Sequence, residues 1–312
     1  MKILFTVRVS EKQLQRVKNI GYDVVCISEK KVENSVDTDD ADILVAYNPF
    51  KRLDISKMKN LKYIMLTSVG FDQLPKDKVL AQNIQVTNNR GGYSIPMSEW
   101  IVMCILEIYK RAKNFYKQQE QKIWHMDVVS IKELHGQRIG FLGTGTIAVE
   151  TAKRLKGFGV ELWGYNTNGR DVEYFDRCFG KNQIDEIFKN CDVVVSTMPC
   201  TAETKGMINK DKFSIMKEGS SFINVGRGKL VNENDLVQYL DKFRGVALDV
   251  FEEEPLREDS PLWEAENVIV TPHNCWVSDK NQDRVEELMY SNLKKYKEGK
   301  EIANIVNVSR GY

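Results

Sequence analysis

Short β-branched runs, each followed by a stretch long enough for a helix, recur along this chain and constrain its fold more than any other feature. KILFTV at 2–7, DVVCIS at 23–28, DILVAY at 42–47, YIMLTS at 63–68 and IQVTNN at 84–89 form a first series. RIGFLG at 138–143, VELWGY at 160–165, DVVVST at 192–197, SFINVG at 221–226, GVALDV at 245–250 and VIVTP at 268–272 form a second. Strands that alternate with helices predict an α/β fold with parallel sheets, because each parallel pair needs a crossover and the crossover helix buries one face on the sheet. A length of 312 residues suits two compact units, each with its own core and with a cleft between them.

Between the two series, MSEWIVMCILEIYKRAKNFYKQQEQ follows Pro96 and predicts one long helix bridging into the second unit, with Pro96 at its first position. A second long helix is predicted from about Asn281 to Glu298, its Lys-rich end forming a solvated face. The six strands of the second series fit a doubly wound fold of the dinucleotide-binding kind. No internal repeat or low-complexity segment interrupts the pattern.

Composition narrows the partners. Lys and Arg together number 45 against 44 for Asp and Glu, so no basic field gathers phosphate backbones or anionic lipid, and neither nucleic acid nor a membrane is expected. The start, MKILFTVRVS, lacks the long apolar core of a signal peptide, and no window approaches 18 apolar residues; a soluble, cytoplasmic protein is expected. Cys26, Cys104, Cys178, Cys191, Cys200 and Cys275 stand singly, without metal-ligand spacing, which predicts reduced thiols and no metal site.

Gly143-Thr-Gly145-Thr-Ile-Ala148 follows the strand 138–143 directly and opens a helical pattern that stops at Gly157 and Gly159. Gly143 permits a tight turn, Gly145 lets the backbone approach a pyrophosphate, and Ala148 is small enough for close helix-to-strand packing. The amides of Thr146 and Ile147, at the helix N-terminus, are positioned to hold the anion. Twenty-three residues after Gly143, at the end of the next strand, stands Asn166, where an NAD site usually carries an acid. A carboxylate there would repel a 2′-phosphate. Asn166, Thr167 and Asn168 can instead donate hydrogen bonds, and Arg170 adds a positive charge, so the segment favours NADP(H), with NAD(H) as the alternative.

Only three histidines exist: His125, His135 and His273. His125 lies in a polar connection and His135 just before the cofactor strand. His273 ends the apolar strand VIVTP, at the carboxyl end where α/β folds place ligands. Arg227, after SFINVG, and Asp249 to Glu254, after GVALDV, bring charge to equivalent positions.

Through HGQRIGFLGTGTIA, PCTAETKGMI, INVGRGKLVNENDL, ALDVFEEEPL and NVIVTPH, in that order, the chain resembles the D-isomer-specific 2-hydroxyacid dehydrogenase family. LTSVGFDQLP at 66–75 and MSEWIVMCIL extend the resemblance over nearly the whole chain. It implies a Rossmann cofactor domain, 96–281, inserted into a flavodoxin-like substrate domain made of 1–95 and 282–312. It also implies that Arg227 binds the substrate's carboxylate and carbonyl oxygen, that His273 exchanges a proton with that oxygen, and that Glu254, immediately before the Pro, orients the imidazole. A carboxylate neighbour favours a protonated imidazole, and an arginine fork matches a planar 2-oxo acid as lysine cannot. The backbone of Val69 and Gly70 would hold the carboxylate, Asp249 would face the nicotinamide amide, and Pro199, Thr204 and Gly226 would line the cofactor site. The implied assembly is a homodimer formed through the cofactor domain.

Three features depart from the family pattern. Trp276 follows His273 where small residues are usual, and is expected either to restrict the substrate side chain or to pack against a domain neighbour or dimer partner. Arg90 replaces a common Pro and is a candidate for a second substrate anion. Cys200 and Cys275 fall near the cofactor by the motif match and are assigned no chemistry. The resulting expectation is an NADP(H)-preferring reductase of a small 2-oxo acid such as glyoxylate, hydroxypyruvate or a branched 2-oxo acid. A phosphoglycerate dehydrogenase-type NAD enzyme, with Lys51, Arg52 and Arg90 as loosely placed phosphate contacts, and a dinucleotide-sensing corepressor are the alternatives.

Overall fold

The computed structural model describes residues 1–309. The chain divides into two compact units, one made of Met1–Tyr93 and the chain from Ser278 onward, the other of Ser94–Val277. Both divisions fall slightly before the positions expected from sequence. The long helix already begins at Ser94, with Pro96 inside its first turn. Ser278 goes with the last helix, Asn281–Lys297, because its hydroxyl meets Asn281 Oδ1 and Arg284 reaches back to it.

In the first unit, β1 (Lys2–Phe5), β2 (Asp23–Cys26), β3 (Ile43–Ala46), β4 (Tyr63–Leu66) and β5 (Gln85–Thr87) form one sheet in the order 2-1-3-4-5. Every pair is parallel. This is the flavodoxin-like order of a doubly wound sheet. Successive residues of a strand point to opposite faces, and both faces here are apolar. Ile3, Phe5, Ile43, Val45, Tyr63 and Met65 enter one core with Met289 and Leu293 of the final helix. Leu4, Leu44, Ala46, Ile64, Leu66 and Val86 enter the other. The chain returns beside β5, where Ile305 bridges Thr87 in antiparallel sense.

The second unit holds β6 (Arg138–Leu142), β7 (Glu161–Tyr165), β8 (Arg177–Phe179), β9 (Val193–Ser196), β10 (Ser221–Asn224), β11 (Gly245–Leu248) and β12 (Val268–Val270). Their order is 12-11-10-9-6-7-8, again entirely parallel. The strand order reverses between β6 and β9, which makes the crevice beyond their carboxyl ends the switch point of a Rossmann sheet. β8 escapes the sequence pattern because its three residues, Arg-Cys-Phe, are an edge strand with no apolar run.

The bridging helix is also not continuous. It runs Ser94–Lys110, breaks at Arg111, whose φ is +54°, and resumes as Ala112–Gln121. The first part is largely buried, whereas the second has no buried residue, so the two pieces meet different solvents and need not share an axis.

Candidate active site

Because the second sheet is parallel throughout, the loops that follow β6, β7, β9, β10, β11 and β12 all leave the same edge. The expected cofactor and catalytic residues of this unit lie on those loops. Gly143 turns the chain out of β6 at φ +96°, and a Cβ there would stand 3.0 Å from Thr197 Oγ1. Gly145 caps the helix Thr146–Leu155, and Ala148, fully buried, lets that helix lie close. The amides of Thr146 and Ile147 open the helix and therefore have no intrahelical acceptor. A Cβ on Gly145 would meet nothing within 4 Å, and the buried Thr144 Oγ1 has no hydrogen-bond partner among the described residues. Open space in front of unpaired donors suits a pyrophosphate, so the residues present fit a dinucleotide.

The loop after β7 closes on itself. Asn166 is almost fully buried; its Nδ2 donates to the Arg170 carbonyl at 2.9 Å and its Oδ1 accepts from the Arg170 amide at 3.1 Å. Its amide therefore shapes the turn. Thr167, Asn168 and Arg170 stand exposed, Arg170 Nη1 lying 3.3 Å from Asn168 Oδ1. The cationic side of the segment faces outward, and no carboxylate occurs between 166 and 170.

After β9, Thr204 Oγ1 donates to the Pro199 carbonyl at 2.9 Å and fixes that loop. After β10, Asn224 organises the turn that presents Arg227. Its Oδ1 accepts from the Gly226 amide at 3.1 Å and its Nδ2 donates to the Arg227 carbonyl at 3.1 Å. Nothing in the sequence pattern singles out Asn224, although its position at the end of a buried strand is the available clue. Gly226 lies against the Met198 carbonyl. Arg227 is partly buried, with Nη1 2.8 Å from the Gly226 carbonyl. Gly228 comes so near Phe251 that a Cβ would fall 1.8 Å from that residue's carbonyl carbon, and this contact lets the Arg227 loop lie on the loop that carries Glu254.

Glu254 is the glutamate that meets the imidazole: its Oε2 is 2.8 Å from His273 Nδ1, while its Oε1 accepts from the Phe251 amide at 3.0 Å. Nδ1 carries the proton in a bond to a carboxylate, which leaves Nε2 for a substrate. Both side chains are partly exposed, so their attraction is screened and the pair serves orientation more than stability. Glu252 instead exchanges hydrogen bonds with Glu233, whose carboxyl is pushed up by burial and by the carboxylates of Glu252 and Glu254. Asp249 is completely buried, and its oxygens accept from Thr271 Oγ1, the Asn274 amide and the Cys275 amide. A buried carboxylate is tolerable only when so satisfied, and here it fastens the histidine loop from within.

In the other unit, Val69 and Gly70 follow β4. Their amides have no acceptor among the described residues, while Asn88 Nδ2 holds the Val69 carbonyl at 2.7 Å and Ser68 Oγ the Gly70 carbonyl at 2.7 Å. Arg90 belongs to the same network, through its amide to Asn88 Oδ1 and its Nε to Asn304 Oδ1. His125 and His135 lie on the connection before β6, away from the carboxyl-edge loops. Burial pushes the Cys104, Cys191 and Cys275 thiols well up, which makes them unreactive. Among the described residues no group of His, Cys, Asp or Glu could hold a metal, and no helix is long and apolar enough to cross a membrane.

The family model "D-isomer specific 2-hydroxyacid dehydrogenase, NAD binding domain" matches residues 102–275. The chain belongs to this family. It is thus a nicotinamide-dependent oxidoreductase of small hydroxy or oxo acids. This dehydrogenase is 34% identical to the glyoxylate reductase of Thermofilum pendens over 75% of its own chain and 71% of the relative. It is 29% identical to the D-3-phosphoglycerate dehydrogenase of Methanocaldococcus jannaschii over 99% of its chain, which spans 60% of that relative. The D-isomer specific 2-hydroxyacid dehydrogenase of Xanthobacter autotrophicus Py2, solved in complex with NADPH and MES, superimposes with a TM-score of 0.83 at 25% identity, covering 100% of this chain and 99% of that one.

The tight passage at Gly228 gives the site a direct test. Gly228→Ala should destabilise the protein by about 3 kcal/mol or more, since backbone rather than a mobile side chain must move. Chemical denaturation measures this, and an unchanged midpoint would show that the two loops do not need their close contact.

Proposed function

We propose that this dehydrogenase reduces a small 2-oxo acid to the D-2-hydroxy acid with NADPH, His273 serving as the proton donor. The observation that carries the reading is the 2.8 Å pair between His273 Nδ1 and Glu254 Oε2, on the same sheet edge as Arg227 and the glycine turn. In this reading the unit Ser94–Val277 holds the cofactor, and the amides of Val69 and Gly70, which have no acceptor among the described residues, are the proposed donors to a carboxylate. A bound nicotinamide supplies the hydride. The guanidinium of Arg227 binds the carboxylate and the carbonyl oxygen and stabilises the negative charge that develops there. His273 Nε2 gives its proton to that oxygen, and Glu254 holds the ring in place through Nδ1.

The NADPH preference rests on the exposed Arg170 and on the absence of an acid between 166 and 170. A structural neighbour solved in complex with NADPH supports it. A phosphorylated substrate is less well served, because Arg52 pairs with Glu33 and Arg90 is tied to Asn304. Six cysteines outside any disulfide suit a reducing compartment such as the cytoplasm.

The proposed assembly is a homodimer that covers the connection before β6. Sequence suggests a polar connection there, but Trp124 is 97% exposed, Val128 82% and Val129 88%, with Met126 beside them. Its root is fastened: Arg244 donates to the carbonyls of Tyr109 and Ser130, and Asp127 accepts from Ser130 and Val129, bonds that pull its carboxyl down to about 2. A fixed segment with contiguous exposed apolar side chains marks an association surface.

Three measurements test these proposals. Titration by nicotinamide fluorescence should show tighter binding of NADPH than of NADH, with the difference reduced in Arg170→Ala; equal affinities would remove the preference. With glyoxylate as substrate, His273→Ala should lose at least about a hundredfold in turnover while still binding NADPH. Undiminished turnover would take His273 out of the chemistry. Sedimentation should find a dimer that becomes monomeric when Trp124 and Val128 are both changed to Glu, and a dimer that survives both changes would place the interface elsewhere.

A further inference from the structure

Asp249 holds the loop that carries His273 on both sides of the histidine. Its carboxylate takes the Thr271 hydroxyl at 2.6 Å before the histidine, and the amides of Asn274 and Cys275 at 3.0 and 3.1 Å after it. Neither contact reaches His273 itself, whose amide donates to the Thr271 carbonyl at 3.1 Å. The histidine sits at φ +52°, in the left-handed region that few residues other than glycine adopt, histidine entering it more readily than most. If its backbone relaxed to a negative φ, the direction of Cβ would change, and Nδ1 would leave the Glu254 carboxylate.

Among the described residues, the side chain that reaches the backbone of His273 is that of Trp276, whose Nε1 donates to the His273 carbonyl at 2.9 Å. Cys275, buried between them and tied to Asp249, sets the spacing that lets the indole fold back. The indole remains 39% exposed, so this site does not use the full burial that a tryptophan can offer.

We propose that Trp276 is a positioning residue for His273, its indole N–H holding the histidine carbonyl and so keeping the left-handed turn that presents the imidazole to Glu254. This rests on the reading of His273 as proton donor, and differs from the expectation that the indole selects substrates by size. The role belongs to the N–H group, whereas a size filter would belong to the shape of the ring.

The test therefore separates the two. Trp276→Phe removes the donor, and benzothienylalanine in place of Trp276 keeps the bicyclic shape but exchanges N–H for sulfur. Each variant, with circular dichroism confirming its fold, is assayed with NADPH and glyoxylate, pyruvate or 2-oxobutanoate beside wild type and His273→Ala. The expected result is a fall in kcat of about three- to tenfold in both variants, as for the loss of one hydrogen bond, with KM for each acid and Kd for NADPH little changed. A benzothienylalanine variant with wild-type kcat overturns the proposal, as does a change in KM that depends on the length of the acid. If His273→Ala retains full turnover, the proton-donor reading fails and the positioning role falls with it.

Discussion

Seven parallel strands send every loop that follows a carboxyl end to one edge of the sheet, and the chemistry of the second unit depends on that constraint. Residues as distant in sequence as Gly143, Arg227, Glu254 and His273 reach a common edge with no contact of their own needed to gather them. The strands in turn require two apolar faces, and the fully buried Ile139, Phe141, Val193, Val195, Phe222, Ile223, Val246 and Ala247 provide them. Fully burying a side chain of this size contributes about 1.5–3 kcal/mol. The rigidity of the edge is thus a consequence of the core beneath it.

Above that edge the loops are shaped by buried polar groups. Asn166, Asn224 and Asp249 each stand at or next to the end of a strand, and each turns its side chain back onto the loop that it begins or faces. An unpaired amide or carboxylate at such a position is costly, so the loop backbone has to supply partners and becomes ordered in doing so. The same device recurs in the first unit, where Asn88 holds the Val69 carbonyl beside amides of Val69 and Gly70 that have no acceptor among the described residues. Polar residues with no chemistry of their own thereby set the positions of those that have it.

Much of this was legible beforehand. Eleven strands, the glycine turn and the final helix follow from apolar patterning and motif order, and the choice of the last of three adjacent glutamates as the partner of His273 follows from the family resemblance. What escaped did so for physical reasons. β8 is a three-residue edge strand without an apolar run. The break at Arg111 depends on a left-handed residue that no glycine announces. Asn166 reads as a ribose donor in sequence because an asparagine's hydrogen-bonding capacity is visible there, while the direction of its amide is not. The apolar side chains around Trp124 could have been counted, but whether a neighbour covers them is a property of the folded surface.

By itself the sequence determined the fold class, the family and the residue types of the site, because these rest on periodicity and on the order of motifs along one dimension. Only the tertiary structure decided which groups are already engaged: that the Asn166 amide closes its own turn, that Asp249 is satisfied by the histidine loop, and that the Trp276 indole reaches the His273 carbonyl. Those outcomes turn on the directions of single hydrogen bonds, and a bond's direction is fixed only when backbone torsions on separate loops are set together by packing.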